Sequence, residues 1–175
     1  MSVHEPERPW PNTYWVEPSR LLAGEYPGAT SEQRTTHKLN TLLDAGIRTF
    51  IDLTEDHELI RYDDVLDRIA RERGLTVRYH RHPIRDVGVP RSRDDMHAIL
   101  ACIETSLRAG DPVYVHCWGG VGRTGTVIGC YLVSCGLSGD DALRQLAELF
   151  GAMEKSATKR SPETAEQKRW VRDWS

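Results

Sequence analysis

One stretch of this 175-residue chain gathers residues able to do covalent chemistry: His116-Cys117-Trp118-Gly119-Gly120-Val121-Gly122-Arg123-Thr124-Gly125-Thr126. A cysteine is followed by a run of glycines and, six positions later, by an arginine. The apolar VYVHC before the glycines suits a strand, and residues 124–135 suit a helix. Strand, glycine loop and helix make an anion cradle, because successive N–H groups and the helix N-terminus converge with no side chains in the way. A thiolate at position 117 would be stabilised by the helix dipole, the loop N–H groups and Arg123. The guanidinium of Arg123 offers a planar fork to a tetrahedral oxyanion. A nucleophile beneath a phosphate cradle means phosphoryl transfer to cysteine.

Other motifs fit the same glycines less well. Gly120, Gly122 and Gly125 satisfy the dinucleotide pattern GxGxxG. No strand follows the helix, however, and the acids about twenty residues on, Asp140 and Asp141, open another helix instead of ending a second strand. The Walker A spacing is present at Gly120 and Gly125, but position 126 is Thr where Lys is required. The plain alternative, a tight turn around an inert buried cysteine, explains neither Arg123 nor the glycines. From composition alone, His, Cys and Arg at these offsets occur by chance only about 0.02 times in such a chain.

The segment HCWGGVGRTGT resembles the HCx5R(S/T) signature of the cysteine-dependent protein tyrosine and dual-specificity phosphatases. The resemblance covers roughly residues 47–136, with a weaker match in the tail SPETAEQKRWVRDW. It implies the cysteine-phosphatase fold, an α/β fold whose mostly parallel central sheet is flanked by helices, with the phosphate-binding loop between the last strand and a helix. By the same resemblance Cys117 is the nucleophile and Arg123 binds the phosphate, together with the backbone of Trp118, Gly119, Gly120, Val121 and Gly122. Thr124 would stabilise the departing thiolate, and His116 would orient the loop. Asp86, 31 residues before Cys117 in HPIRDVGVP, would protonate the leaving group and then activate water. Asp86 also reads as a turn-capping residue beside Val-Gly, and Asp52 and Glu55 are rival acids. Gln167 is offered as a water-positioning residue, although a solvated helix position explains it as well.

The resemblance implies no metal and no cofactor. His80 and His82, one face of a strand, lack the further ligands a metal site needs. The loop carries no lysine, which favours a phosphorylated protein or peptide over a highly charged inositol or lipid. The compact length and the lack of a tyrosine-recognition loop favour the dual-specificity-like branch. Phosphotyrosine needs a deep pocket, and Trp10, Tyr14, Trp15, Tyr26 and Trp118 are candidates to line it. A phosphatase of a small metabolite, lipid or RNA 5′-phosphate stays open, as does a phosphoprotein-binding module without turnover. The complete set of Cys117, Arg123, Thr124 and Asp86 argues against the latter.

Several elements must hold this machinery. Residues 1–12, with three prolines, read as an extended arm, and 21–23 as a short edge strand. Thr30 and Gln33 have capping-box spacing for a helix that runs to Ala45 and stops at Gly46. IRTFIDL (47–53) suits a buried parallel strand. A helix is expected over 58–73, a strand over 75–84, and a helix from Ser92 to Gly110. A helix around 143–150 follows that of 124–135. KSATKR is expected as a surface loop and Ser161-Pro162 as the start of a final helix. Alternating strands and helices predict an α/β fold with a largely parallel sheet, whose ligands sit beyond the strand C-termini.

Length and composition agree. At 39% hydrophobic and 28% charged residues, residues 1–175 suit one domain able to bury its own core. A formal charge of -3 gives no basic field for nucleic acid. No signal-type leader or run of 18 apolar residues appears, so neither secretion nor a membrane partner is expected. Cys102, Cys117, Cys130 and Cys135 do not read as a disulfide framework, which points to a reducing, cytoplasmic setting. Cys102, Cys130 and Cys135 are expected in the core. Arg78, Arg81, Arg85, Arg91 and Arg93 make the segment around Asp86 locally about +4, a field that could steer phosphorylated ligands.

Overall fold

A computed structural model describes residues 5–175. Five strands form one sheet in the order β1-β2-β5-β3-β4. These are β1 (Thr13–Glu17), β2 (Leu21–Gly24), β3 (Thr49–Asp52), β4 (Arg78–Arg81) and β5 (Val113–His116). All pairings are parallel except that of β1 with β2. The helices are α1 (Glu32–Asp44), α2 (Asp63–Glu72), α3 (Arg93–Arg108), α4 (Gly122–Ser134), α5 (Gly139–Phe150) and α6 (Ala165–Arg172).

Strand side chains alternate between two cores. Ile51, Val113 and Val115 join Ile99, Ile103, Ile128 and Phe150 on the α3–α6 side. Phe50, Tyr114 and Leu22 join Leu39, Leu42 and Leu66 under α1 and α2. Burial on both faces explains why β3 and β5 read as continuous apolar runs. The outermost parallel strand, β4, is only partly covered and correspondingly polar, RYHR.

Several sequence expectations shift here. The described part of the N-terminal arm, 5–12, has no regular secondary structure; residues 1–4 lie outside the described residues. The polar-flanked TYWVE continues from it as β1, an element the sequence did not announce, with Tyr14 and Trp15 buried in opposite cores. The cap of α1 is Ser31, one residue beyond Thr30. Helix α2 starts at Asp63, so residues 55–62 form a loop instead of a first helical turn. His57 in this loop has φ of 63°. The expected surface loop at 155–160 is in part a short 3-10 turn, Glu154–Ala157. Helix α6 is capped by Thr164, not Ser161, through a capping box with Gln167.

Candidate active site

Strand β5 lies between β2 and β3, with His116 paired in register against Gly24 and Asp52. Cys117 therefore leaves the sheet at the centre of its C-terminal edge, where ligands of parallel sheets bind. The loop 117–121 follows and runs directly into α4. Gly120 has φ of 73°, and a Cβ there would fall 2.4 Å from the carbonyl carbon of Gly24. Only glycine lets the loop turn so close to β2.

The carbonyls of this loop are tied outward. His116 Nδ1 is 3.2 Å from the Cys117 oxygen, and the Tyr26 amide donates to the Trp118 oxygen at 2.9 Å. Lys155 Nζ donates to the Gly119 oxygen at 3.0 Å, and Ser161 Oγ to the Val121 oxygen at 2.7 Å. A peptide plane whose carbonyl points away presents its N–H to the other side, so these ties aim the loop amides at one spot. Helices α1, α3, α5 and α6 have their N-termini capped by Ser31, Ser92, Ser138 and Thr164. Helix α4 has no side-chain cap, so its first amides remain available to an anion.

Beneath the loop, His116 is fully buried, edge-on to Tyr26 and tilted against Tyr62 and Tyr114. Burial pushes its pKa down, against the pull of Asp52. The neutral ring then donates from Nδ1 to the Cys117 carbonyl and accepts at Nε2 from Tyr62 Oη, 2.6 Å away.

Arg123, in the first turn of α4, is 2% exposed. Its Nη1 donates to Glu58 Oε2 at 2.8 Å and to the Ile84 carbonyl at 3.0 Å, and its Nη2 to Glu58 Oε1 at 2.6 Å. Of five guanidinium N–H groups, Nε–H and one on Nη2, which faces Asp86 Oδ1 at 3.2 Å, make none of these bonds, and their spacing is one a phosphate can grip with two oxygens. Burial works against the charge of Arg123, but the hydrogen bonds to Glu58 and the field of Cys117 outweigh it and hold its pKa above the ordinary value. For Glu58, burial works against ionisation; the Arg123 hydrogen bonds and the Glu55 amide outweigh it and lower its pKa. Glu58 was missed in the sequence, where it read as the start of a helix.

Asp86 lies on the loop after β4, with Oδ1 3.2 Å from Arg123 Nη2 and its side chain 56% exposed. Its neighbour Val87 has φ of 53°, a strained conformation for a β-branched residue. The rival acids lie elsewhere. Asp52 is buried and accepts from Thr54 N and Oγ1, Tyr79 Oη and Arg81, while neither it nor Glu55 lines the cavity. Asp86, Cys117, Trp118, Gly119, Val121 and Arg123 all border one cavity of about 370 Å³, which Lys155, Lys159 and Glu163 close on the other side. Thr124 is fully buried, and its hydroxyl has no partner among the described residues.

Gln167 is also buried, contrary to the solvated reading. Its Oε1 accepts from the Glu163 and Thr164 amides and its Nε2 donates to the Gly88 carbonyl, tying α6 to the Asp86 loop. A Cβ on Gly122 would fall 2.9 Å from that Nε2. Of the aromatic candidates, Trp118 borders the cavity, Tyr26 a neighbouring one, and Trp10, Tyr14 and Trp15 neither. The arginine field is largely spent: Arg78 pairs with Asp111, Arg81 with Asp52 and Asp56, and Arg93 stacks on Trp174. All four cysteines are free; Cys130 is buried, Cys102 half-buried, and Cys135, expected in the core, is exposed at the end of α4.

The family model of a DSP-PTPase phosphatase domain, described as a Swiss Army Knife protein and abbreviated PTP-SAK, matches residues 11–171. The chain belongs to this family. The protein 067L of Invertebrate iridescent virus 3, named as a tyrosine phosphatase, is 29% identical over 116 residues, covering 65% of this chain and 42% of that one. The chain thus spans less than half the length of that relative. Among solved structures, Tk-PTP in its active form is 27% identical with a TM-score of 0.69, covering 94% of this chain and 97% of that one. PTPMT1 in complex with PI(5)P has a TM-score of 0.68 at 18% identity, covering 93% and 94%, a likeness of fold. The phosphatase domain therefore has the mostly parallel α/β sheet of this family. Among the described residues no helix is long and apolar enough to cross a membrane.

Proposed function

We propose that this domain hydrolyses phosphate monoesters of proteins, phosphotyrosine foremost, through a phosphocysteine on Cys117. The observation that carries this reading is the single cavity bordered by Cys117, Arg123 and Asp86, with the Asp86 carboxyl 3.2 Å from Arg123 Nη2. In the first step the Cys117 sulfur attacks phosphorus, the phosphorus–oxygen ester bond breaks, and Asp86 gives its proton to the leaving phenolate or alkoxide. In the second, the Asp86 carboxylate takes a proton from water as its oxygen attacks phosphorus. The sulfur–phosphorus bond breaks, inorganic phosphate leaves, and the Thr124 hydroxyl, buried and without another partner among the described residues, donates to the returning thiolate. Loop amides, the α4 N-terminus and Arg123 hold the equatorial oxygens throughout, where charge builds in the transition state.

A protein substrate is favoured by the cavity wall. Lys155 is occupied by Glu25 and the Gly119 carbonyl, and Lys159 faces Glu163 at 3.9 Å. That leaves little free positive charge for the further phosphates of an inositol, whereas exposed Trp118 and Val87 suit an aryl ring. A catalytic thiolate needs a reducing compartment, which is why we assign the domain to the cytoplasm.

Cys117→Ser tests the mechanism: the folded variant should lose hydrolysis of a chromogenic aryl phosphate, and retained turnover would overturn it. A turnover panel of phosphotyrosyl, phosphoseryl and phosphothreonyl peptides, phosphoinositides and nucleotides tests the substrate class. Phosphotyrosyl peptides should lead; a faster phosphoinositide or nucleotide refutes the assignment.

A further inference from the structure

Among the described residues, three large hydrophobic side chains are exposed: Ile60 at 60%, Val87 at 51% and Trp118 at 59%. They come from three separate loops, yet none lies elsewhere on the surface. Val87 and Trp118 border the catalytic cavity. Trp118 and Ile60 border a second cavity of about 320 Å³, which shares Trp118 and Lys155 with the first. The indole of Trp118 is thus a partition between two adjoining hollows. Exposed apolar groups gathered at one concavity mark a binding surface.

The second cavity is shaped by fixed groups. Tyr26, Gly28, Leu59, Ile60 and Trp118 line it. Tyr26 Oη donates to the Ile60 carbonyl at 2.8 Å, and the Tyr26 amide to the Trp118 carbonyl at 2.9 Å, so one tyrosine braces both walls. A Cβ on Gly28 would fall 2.5 Å from the Tyr26 ring, so the glycine keeps this floor clear. Its charges are internally satisfied: Glu25 pairs with both Lys38 and Lys155. What remains for a ligand is apolar wall.

We propose that this second cavity receives an apolar side chain two residues from the phosphotyrosine of a protein substrate. The inference rests on the phosphatase reading above and adds a sequence preference to it. In an extended peptide residues i and i±2 project to the same side, about 7 Å apart. That geometry puts the phosphotyrosine ring and its second neighbour on either side of Trp118. An anionic bilayer is the less suitable occupant, because interfacial binding draws on free lysines and arginines beside the apolar groups. Here Lys38 and Lys155 are held by Glu25, and Arg61 is paired with Asp63.

The test uses phosphotyrosyl peptides carrying Leu, Phe, Ser or Asp at each position from three before to three after the phosphotyrosine. Apolar pockets discriminate by about 10–200-fold, and for a half-open one we expect the lower end. Leu or Phe two residues away, on one side, should raise kcat/KM about 10-fold over Ser, chiefly through KM. Ile60→Asp, at an exposed position, should reduce that advantage to below about 3-fold while leaving kcat for a small aryl phosphate unchanged. No preference at either second position, or one indifferent to Ile60→Asp, overturns the inference. So does turnover of phosphoinositide in vesicles that exceeds every peptide and is lost in Ile60→Asp. Wild-type protein inert toward the aryl phosphate would instead refute the phosphatase reading beneath it.

Discussion

Replacing Glu58, which does not itself line the catalytic cavity, by alanine removes the carboxylate that holds Arg123 from behind. The guanidinium loses both carboxylate oxygens of Glu58, at 2.8 and 2.6 Å, and keeps the Ile84 carbonyl and, at 3.2 Å, Asp86 Oδ1. Breaking a buried ion pair by deleting one member costs about 3–5 kcal/mol. The Glu58 side chain is 17% exposed against 2% for Arg123, so water entering behind the arginine recovers part of that loss. About 2–3 kcal/mol remains, in keeping with two charge-assisted hydrogen bonds of about 1.5 kcal/mol each. At about 2–4 °C per kcal/mol for a domain of this size, Tm should fall by roughly 4–12 °C. Arg123 is then free to turn, and a displacement near 1 Å at a positioning group costs about 10²-fold. Thermal unfolding and aryl phosphate hydrolysis on the same preparation measure both effects, with inhibition by inorganic phosphate reporting on anion binding alone. Glu58→Gln, which keeps one acceptor, should lie between. A Glu58→Ala protein with Tm within about 1 °C of the parent and unchanged kcat/KM would refute the claim that this pair orients the phosphate-binding fork.

Other perturbations probe other parts of the assembly. Asp86→Asn should slow phosphopeptide hydrolysis by about 10²–10⁴-fold and slow aryl phosphates with good leaving groups much less; equal losses on both would move the acid elsewhere. Val87→Asn should relieve the left-handed strain and raise Tm by about 2–4 °C, from roughly 1 kcal/mol. The same change loosens the loop that holds Asp86, so kcat should drop; a lower Tm would show the strain to be absent. Burial depresses the folded-state pKa of both His116 and His82, so the unfolded chain binds more protons as pH falls. Stability should therefore be complete above about pH 6.5 and decline as pH falls below it. Asp52 and Glu58, also depressed, add a second loss below about pH 4. A Tm flat or rising from pH 7 to 5 would contradict the histidine contribution.

The parts of the site visible in the sequence are those whose physics is local. A nucleophile, five intervening residues and an arginine fit one strand–loop–helix connection, and glycines mark the close turn that Gly120 makes against Gly24. The two-face burial of β3 and β5 is likewise written as continuous apolar residues. Less legible was β1, whose polar surroundings hide two aromatics facing opposite cores. The start of α2 was misjudged because Leu59 and Tyr62 keep helical spacing with Leu66 while His57 turns the backbone aside.

What the sequence by itself determined is the local constellation: a cysteine before a glycine loop, an arginine six positions on and an acid upstream. What only the tertiary structure decided is how that cradle is held and oriented. Glu58 stands 65 residues from Arg123, Lys155 is 36 from Gly119, Ser161 is 40 from Val121, and Gln167 is 79 from Gly88. In the sequence Glu58 reads as the start of a helix, Lys155 as part of a surface loop, Ser161 as a helix start and Gln167 as a water-positioning or solvated helix residue. Their roles follow from where separate segments cross at the C-terminal edge of the sheet, and no local periodicity encodes such a crossing. Buried groups must find partners wherever the chain brings them, so the supporting residues become visible only when the fold closes around the loop.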